Sequence, residues 1–223
     1  MVEIKTLIVE DEPLMAENMK RTLEDISNSS QHQFKIITSL NVDNALYEVQ
    51  RGIRTTPIEL VLIDIGIQPS SDKSILSGED FGLEVRKYFP QAKVIAFTTQ
   101  RSNYRLNNVL KTLNPEGLVI KHDINQNRLR EAIECVLVDP PFYSKGILKL
   151  MRKHISIDFT LDKIDRQMLY QLSRGAKLKH LTEILPLSKS AIELRKRHLK
   201  ELFGVEDGDD RNLVLRAEEL GFI

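Results

Sequence analysis

The chain of 223 residues is poor in the features that mark secreted and membrane-spanning proteins. Its one cysteine, Cys135, excludes an internal disulfide bond and a thiolate metal cluster, and it fits a reducing compartment. No apolar run approaches the roughly 20 residues that cross a bilayer, and the N-terminus lacks the architecture of a signal peptide. We therefore expect a cytoplasmic protein without a membrane partner.

The chain also lacks net charge, but the zero balance hides an uneven distribution. Residues 143–200 contain 14 basic and 5 acidic residues, whereas the last 23 residues contain 2 basic and 7 acidic ones. The basic region is a candidate surface for nucleic acid. A solvated helix face would give the same composition, so charge alone leaves both interpretations open.

The first 138 residues contain a regular alternation of apolar runs with amphipathic stretches of helical length. The apolar runs are short and rich in Ile, Val and Leu, as strands buried on both faces are. They are Thr6–Val9, Phe34–Leu40, Glu59–Ile65, Lys93–Thr98 and Gly117–Lys121. The predicted helices are Pro13–Asp25, Asp43–Arg51, Glu79–Tyr88, Ser102–Leu113 and Asn125–Val138. This alternation predicts an α/β fold with a doubly wound, five-stranded parallel sheet.

Four of the five apolar runs end in polar residues. Ligands of such sheets sit at the carboxyl ends of the strands, where these residues should converge. One polar strand end taken alone is explained by contact with solvent, but four together predict a site. Its candidate residues are Glu10 and Asp11 at the end of the first run, Asp64 at the end of the third, Thr98 and Thr99 at the end of the fourth, and Lys121 at the end of the fifth.

The chemistry that fits these residue types is the formation of an acyl phosphate. Adjacent carboxylates repel one another, and Glu10 and Asp11 can hold a Mg²⁺ ion that offsets this repulsion beside Asp64. Asp64 is then the nucleophile toward a phosphoryl group. Lys121 would balance the negative charge, and Thr98 would donate a hydrogen bond to a phosphoryl oxygen.

The motif VEDEP at residues 9–13, followed by Asp64, Thr98 and Lys121 in that order, resembles the receiver domain of two-component response regulators. The resemblance covers about residues 1–138. It implies that a sensor histidine kinase phosphorylates Asp64, and that the backbone carbonyl of Gly66 joins the Mg²⁺ ligands. It also implies that Thr98, Thr99 and Lys121 contact the phosphoryl group, and that a shift of Thr98 reshapes the face of the fourth helix, fifth strand and fifth helix.

Three residues depart from the receiver pattern. Receivers have a glycine about eight residues past the phosphoacceptor, but Gly82 lies 18 residues past Asp64. This spacing indicates an insertion of about ten residues, interpreted as a polar surface loop, with a lid over the phosphate as the alternative. Leu118 stands where receivers have a switch aromatic, and His122 stands where they have a proline.

The remaining chain shows no strand pattern and begins after Pro140-Pro141, which ends the last helix of the alternation. We predict a linker over residues 139–156, with a helix at Tyr143–His154. A helical domain should follow over residues 157–223. Its helices are Asp162–Ser173, Lys177–Leu185, Ser188–Phe203 and Arg211–Leu220. The middle pair forms a helix-turn-helix, because only Pro186-Leu187 separates the two helices.

Residues 161–205 resemble a LuxR-type output domain, so that nearly the whole chain resembles a response regulator of the NarL/FixJ type. On the second helix of the helix-turn-helix, Ile192, Leu199 and Phe203 form the buried stripe and basic residues lie outside it. Glu193 departs from the basic residue that is common in the family, and it could accept a hydrogen bond from cytosine. The candidate DNA contacts are Lys189, Ser190, Glu193, Arg195, Lys196, Arg197 and Lys200.

These features predict a transcription regulator that binds promoter half-sites in double-stranded DNA as a homodimer, at least when it is phosphorylated. Two alternatives keep the receiver: a helical domain that binds a protein partner, and DNA binding that does not depend on phosphorylation. A phosphatase is not expected. A phosphatase of the haloacid-dehalogenase kind would need a second aspartate two residues after Asp64, where Gly66 stands.

Overall fold

The computed structural model of the chain describes residues 2–99, 103–153 and 160–223. The described residues form two compact units. An α/β unit contains residues 2–99 and 113–153, and a helical unit contains residues 103–112 and 160–223. The predicted boundary between the linker (residues 139–156) and the helical domain (residues 157–223) lies outside the described residues. Ser102 and His154, which stand at the ends of two predicted helices, also lie outside them.

The α/β unit is built on a parallel sheet with the strand order β2-β1-β3-β4-β5-β6. Its strands are β1 (Val2–Val9), β2 (His32–Ser39), β3 (Leu60–Asp64), β4 (Lys93–Thr98), β5 (Gly117–Ile120) and β6 (Phe142–Tyr143). All five residues of β3 and all four of β5 are buried. Burial on both faces explains why these strands are continuous apolar runs in the sequence.

The predicted count of five strands is wrong by one, because β6 joins the sheet at the outer edge of β5. This strand comes from the segment that was predicted to be a linker. It is only two residues long, and two residues carry no periodic pattern that could distinguish a strand from a loop.

The helices of the α/β unit follow the predicted alternation and pack as α1 beside α5 and α2 beside α3. They are α1 (Pro13–Ser29), α2 (Val42–Arg54), α3 (Gly78–Tyr88), α5 (Gln126–Val138) and α6 (Lys145–Lys153). The helix between β4 and β5, α4 (Asn103–Thr112), belongs to the helical unit. Pro13 occupies the first turn of α1, where its missing N–H leaves no hydrogen bond unmade. A 3-10 turn, Lys121–Asp123, follows β5 directly.

The helical unit contains α4 and four further helices around a core of its own. These are α7 (Lys163–Ser173), α8 (Leu178–Ile184), α9 (Lys189–Phe203) and α10 (Asp210–Glu219). Asp162 and Ser188 cap α7 and α9, and Gly204 ends α9 in the left-handed conformation. Within this unit, the Leu161 N–H donates to Asn108 Oδ1 of α4 at 2.7 Å.

The core of the helical unit contains the stripe that was predicted on the second helix of the helix-turn-helix. Ile192, Leu199 and Phe203 are buried, and Phe203 stacks on Phe222 with ring centroids 5.7 Å apart. No helix in the described part of the chain combines the length and the apolar character that a membrane span requires.

Candidate functional site

The register of the sheet brings the predicted site residues to one edge. Val9 pairs with Ile63, so that Glu10 and Asp64 leave neighbouring strands at the same level. Asp64 in turn pairs with Phe97, and Thr98 pairs with Ile120, the residue before Lys121. Four strand ends therefore converge, as the parallel order requires. Thr98 is buried at this edge, whereas Thr99 is exposed.

Lys121 connects the two buried carboxylates of the site. Its Nζ lies 2.7 Å from Glu10 Oε2 and 2.9 Å from Asp64 Oδ2. Glu10 is fully buried and Asp64 is nearly so, while Asp11 is exposed. The other oxygen of Asp64, Oδ1, accepts a hydrogen bond from the Gly66 N–H at 2.9 Å. The carboxylate of Asp64 is thus held from two sides and keeps a defined orientation.

The donor set fits a magnesium ion. Glu10, Asp11 and Asp64 can each place one carboxylate oxygen within 4.8 Å of the others. Hard oxygen ligands of this kind are the ones that Mg²⁺ prefers. When all three carboxylates are ionised, the one lysine leaves two negative charges without compensation, and a divalent cation supplies that balance.

The electrostatics of the lysine and of Glu10 follow from their burial. Burial raises the pKa of Glu10, against the effect of the Lys121 ammonium, since the ionised carboxylate loses its water. Burial alone would lower the pKa of Lys121, but its hydrogen bonds with Glu10 and Asp64 outweigh this and raise it. Lys121 therefore keeps its proton and remains a cation beside Asp64.

Gly78, at the start of α3, is the glycine that the site requires for steric reasons. A Cβ at Gly78 would overlap the backbone carbonyl oxygen of Asp64, and the Gly78 N–H donates to Ile65 O at 3.2 Å. Gly82, the candidate from the spacing, instead packs against Leu113. Both glycines belong to α3, and the insertion of about ten residues stays a prediction.

The segment between Asp64 and α3 is a structured loop. Ser70 is buried, and its hydroxyl donates to Asp72 Oδ1 at 2.7 Å. The hydroxyl of Ser71 donates to Asp43 Oδ2 at 2.6 Å, which ties the loop to the first turn of α2. Hydrogen bonds from Ser70 and Ser74 lower the pKa of Asp72 to about 2. The described contacts thus anchor the loop at α2, and its interpretation as a lid stays untested.

A cavity of the α/β unit lies at the opposite end of the sheet from the carboxylates. It has a volume of about 600 Å³ and is lined mainly by apolar residues at the amino ends of the strands, among them Ile4, Ile58 and Phe89. None of the candidate site residues lines this cavity.

On α9, four of the seven candidate DNA contacts are exposed. They are Lys189, Ser190, Glu193 and Arg197. Among the described residues, Lys189 and Arg197 form no ion pair, whereas Glu193 lies 3.7 Å from Lys196. The exposed face of the helix also carries Leu194 and Glu201. This face is therefore mixed in charge rather than uniformly basic.

The other three candidates are bound within the helical unit. Arg195 Nη1 lies 2.8 Å from Asp162 Oδ2 and 2.6 Å from Asp165 Oδ1, so it joins α9 to the N-terminal cap of α7. Lys196 Nζ lies 2.8 Å from Asp210 Oδ2. Lys200 Nζ donates to Gly208 O at 2.8 Å. A helical wheel could not reveal these partners, because they come from other segments of the chain.

No family model matches the chain. The transcriptional regulatory protein MctR of Rhizobium johnstonii is 22% identical over 205 residues, which cover 91% of this chain and 88% of that protein. The nitrate/nitrite response regulator protein homolog of Haemophilus influenzae is also 22% identical, over 200 residues that cover 88% of each chain.

Among solved structures, the chain is similar to RcsB from Salmonella enterica serovar Typhimurium, bound to the promoter rprA in the presence of the phosphomimetic BeF3⁻. The TM-score is 0.65 with 16% identity, covering 97% of this chain and 98% of that one. The likeness of fold extends over both units. Together with the curated relatives, it confirms the resemblance to response regulators and the α/β receiver fold followed by a helical domain.

Proposed function

We propose that the chain is a transcription regulator that binds double-stranded DNA under the control of phosphorylation at Asp64. The observation that carries the proposal is the presence, in one chain, of two features. One is the site of Glu10, Asp11, Asp64 and Lys121 at the sheet edge. The other is a helix-turn-helix whose second helix, α9, has one face exposed to solvent.

At the phosphorylation site, Asp64 is the acceptor. One of its carboxylate oxygens attacks the phosphorus of a phosphohistidine on a sensor histidine kinase, and the histidine nitrogen leaves. Glu10, Asp11, Asp64 and the Gly66 carbonyl would hold Mg²⁺, which neutralises negative charge on the carboxylates and the phosphoryl group. Lys121, already 2.9 Å from Asp64 Oδ2, is placed to pair with a phosphoryl oxygen. The hydroxyls of Thr98 and Thr99 are the further proposed contacts.

At the DNA surface, α9 would enter the major groove as the recognition helix. Lys189, Ser190, Glu193 and Arg197 are exposed and available to base edges and phosphates. Arg195, Lys196 and Lys200 would contribute only after giving up the hydrogen bonds and ion pairs that they form within the unit. We propose a homodimer as the binding form, since two recognition helices then read half-sites about one DNA turn apart.

A protein partner for the helical unit is the second candidate function. The observation that favours it is the mixed charge of the exposed α9 face, where Glu193 and Glu201 stand beside Lys189 and Arg197. A surface without a strong basic field gains less from counterion release on DNA than a uniformly basic one.

The experiment that tests the proposal is selection of genomic DNA fragments by the purified full-length protein. Mg²⁺ and beryllium fluoride, which mimics an aspartyl phosphate, are added to one sample and omitted from the other. We expect enrichment of a shared sequence with two related half-sites, stronger with the mimic. No enrichment at low salt would contradict DNA binding and favour the protein partner. Equal enrichment in both samples would contradict control by phosphorylation.

A further inference from the structure

The segment that follows α5 is bound to the free edge of β5 rather than extended as a linker. The Phe142 N–H donates to Glu116 O at 2.9 Å, and the Ser144 N–H donates to Leu118 O at 3.1 Å. Ile147, in the first turn of α6, is buried. We call residues 142–147 the latch. It covers backbone groups of β5 that would otherwise be exposed at the edge of the sheet.

A polar hook at Asp123 holds the latch. Asp123 Oδ2 accepts two hydrogen bonds of 2.8 Å, one from the Ser144 hydroxyl and one from the Gly146 N–H. The Ser144 oxygen also accepts from the Ile120 N–H at 3.2 Å. The approach at Gly146 is so close that a Cβ there would lie 2.6 Å from Asp123 Oδ2 and 2.6 Å from Ile120 Cδ1. The hydrogen bonds of the hook therefore depend on the position of Asp123, and the close contact at Gly146 would not tolerate a shift of Asp123 toward the latch.

The hook and the candidate phosphorylation site share one 3-10 turn. Lys121, the first residue of the turn, pairs with Glu10 and Asp64, and Asp123, its last residue, holds the latch. Only His122 lies between them. A phosphoryl group on Asp64 carries about two negative charges and three acceptor oxygens. Because the carboxylate loses its own charge when the acyl phosphate forms, the side chain gains about one negative charge. These new acceptors compete with Glu10 for the Lys121 ammonium. Because Asp123 is two residues from Lys121 in the same turn, a shift of the Lys121 backbone would also move Asp123.

Two other observations fit a latch that can open. Leu118, which replaces the aromatic residue of the receiver pattern, is fully buried in β5, so an exposed switch side chain is absent at that position. On its α5 side the latch faces a cavity of about 450 Å³ lined by residues such as Val119, Asn125 and Tyr143. Packing on that side is thus incomplete, and the described attachment consists of the hook, the two strand hydrogen bonds and the apolar packing of Phe142 and Ile147.

We propose that residues 142–147 are a releasable latch on the β5 edge, and that phosphorylation of Asp64 opens it through the turn Lys121–Asp123. Release would free the edge of β5 and lengthen the connection between the two units. The inference rests on the proposed phosphorylation of Asp64, but the latch itself can be tested separately.

The test is hydrogen exchange of the full-length protein, followed at the amides of Phe142, Ser144 and Gly146. Mg²⁺ with beryllium fluoride is added or omitted, and fluorine NMR of the bound fluoride reports independently whether the site is occupied. With the site occupied, we expect exchange of these amides to accelerate on the order of tenfold while the amides of β1 and β3 stay protected. An occupied site with unchanged exchange would overturn the latch. Failure of the fluoride to bind would instead overturn the proposed phosphorylation site.

Variants separate the latch from the site. Gly146→Val and, more mildly, Ser144→Ala should raise exchange of the latch amides without the mimic, while fluoride binding at Asp64 stays as in the unmodified protein. Lys149→Ala, an exposed change on α6, is the matched control and should exchange as the unmodified protein does. Should Gly146→Val fail to fold, Ser144→Ala carries the test alone. Protection of the latch amides unchanged in Ser144→Ala would contradict the role of the hook.

Discussion

The two candidate functional regions of the chain use charge in opposite ways. At the sheet edge, Glu10 and Asp64 are buried, and the Lys121 ammonium lies 2.7 Å from one and 2.9 Å from the other. On α9, the basic residues divide between those paired with acidic side chains of the same unit and the exposed Lys189 and Arg197. The first arrangement suits chemistry on a small group, while the second leaves only part of the helix for a large ligand.

The two regions also differ in how far the sequence predicts them. Strand ends of a parallel sheet meet by topology, so the order of apolar runs is enough to assign Glu10, Asp64, Thr98 and Lys121 to one edge. The ends of long basic side chains depend on tertiary contacts, and the partners of Arg195 lie 33 and 30 residues earlier in the chain.

Replacing the proposed phosphoacceptor, Asp64, should have an all-or-none effect. Asp64→Asn should abolish the phosphoryl mass increment after incubation with acetyl phosphate and Mg²⁺, because an amide oxygen is not a competent nucleophile here. Glu12→Gln is the control, since Glu12 is an exposed carboxylate at the same strand end but outside the cluster. Intact-mass spectrometry reads the result. Phosphorylation of Asp64→Asn at the level of the unmodified protein would remove Asp64 from the site.

Removing the buried ammonium should destabilise the α/β unit. Lys121→Met leaves Glu10 and Asp64 facing each other without a cation, and we expect a loss of about 3 kcal/mol in the free energy of unfolding without Mg²⁺. Added Mg²⁺ should reduce this loss. Lys87→Met is the control: Lys87 lies 2.6 Å from Glu84 but is exposed, so its pair should contribute under about 1 kcal/mol. Urea unfolding measures both, and equal losses would contradict the assigned role of burial.

Arg195 and Arg197 lie two residues apart on α9, and only Arg195 forms described ion pairs. Replacing each of them tests whether the paired cation contributes to stability and the exposed one does not. Arg195→Ala removes the partner of Asp162 and of the mostly buried Asp165, so we expect a loss of about 1 to 2 kcal/mol in stability of the helical unit. Arg197→Ala should leave stability unchanged within about 0.5 kcal/mol, because its side chain is exposed and forms no described ion pair. Thermal unfolding compares the two. Equal melting temperatures would show that the pairs of Arg195 contribute no stability.

DNA affinity should depend more on the exposed Arg197 than on Arg195, the reverse of their expected effects on stability. For Arg197→Ala we expect weaker binding and a salt dependence flatter by about one unit of slope, the signature of one lost phosphate contact. Arg211→Ala, an exposed arginine on α10, is the control for nonspecific loss of charge. Binding isotherms across a salt series provide the measurement. An unchanged slope for Arg197→Ala would remove that residue from the interface.

The smallest effect is expected in the loop before α3. Asp72 has its pKa lowered to about 2, so its contribution to stability is present above the ordinary value of 3.8 and is lost as the pH falls from there to about 2. Asp72→Asn should accelerate hydrogen exchange of the Ser74 amide, which donates to Asp72 Oδ1. Global stability at neutral pH should change by under about 0.5 kcal/mol, because the side chain is exposed. Exchange as slow as in the unmodified protein would show that other contacts hold the loop.

What the sequence did not predict has a shared physical cause. The strand Phe142–Tyr143, the hook at Asp123 and the packing of Gly78 on Asp64 each rest on contacts between segments that are distant in sequence or too short to carry a period. By contrast, the N-caps Asp162 and Ser188 are the first residues of the predicted helices Asp162–Ser173 and Ser188–Phe203, because a cap is a local pattern of a few residues.

The most direct test of the central claim is the dissociation constant for a DNA fragment enriched by the full-length protein, measured with and without Mg²⁺ and beryllium fluoride. Fluorine NMR confirms occupation of the site in the same sample. We predict that occupation tightens binding by about fivefold or more, the lower range of coupling between linked sites, and that Asp64→Asn loses this difference. Equal dissociation constants with the site occupied would contradict control of DNA binding by Asp64.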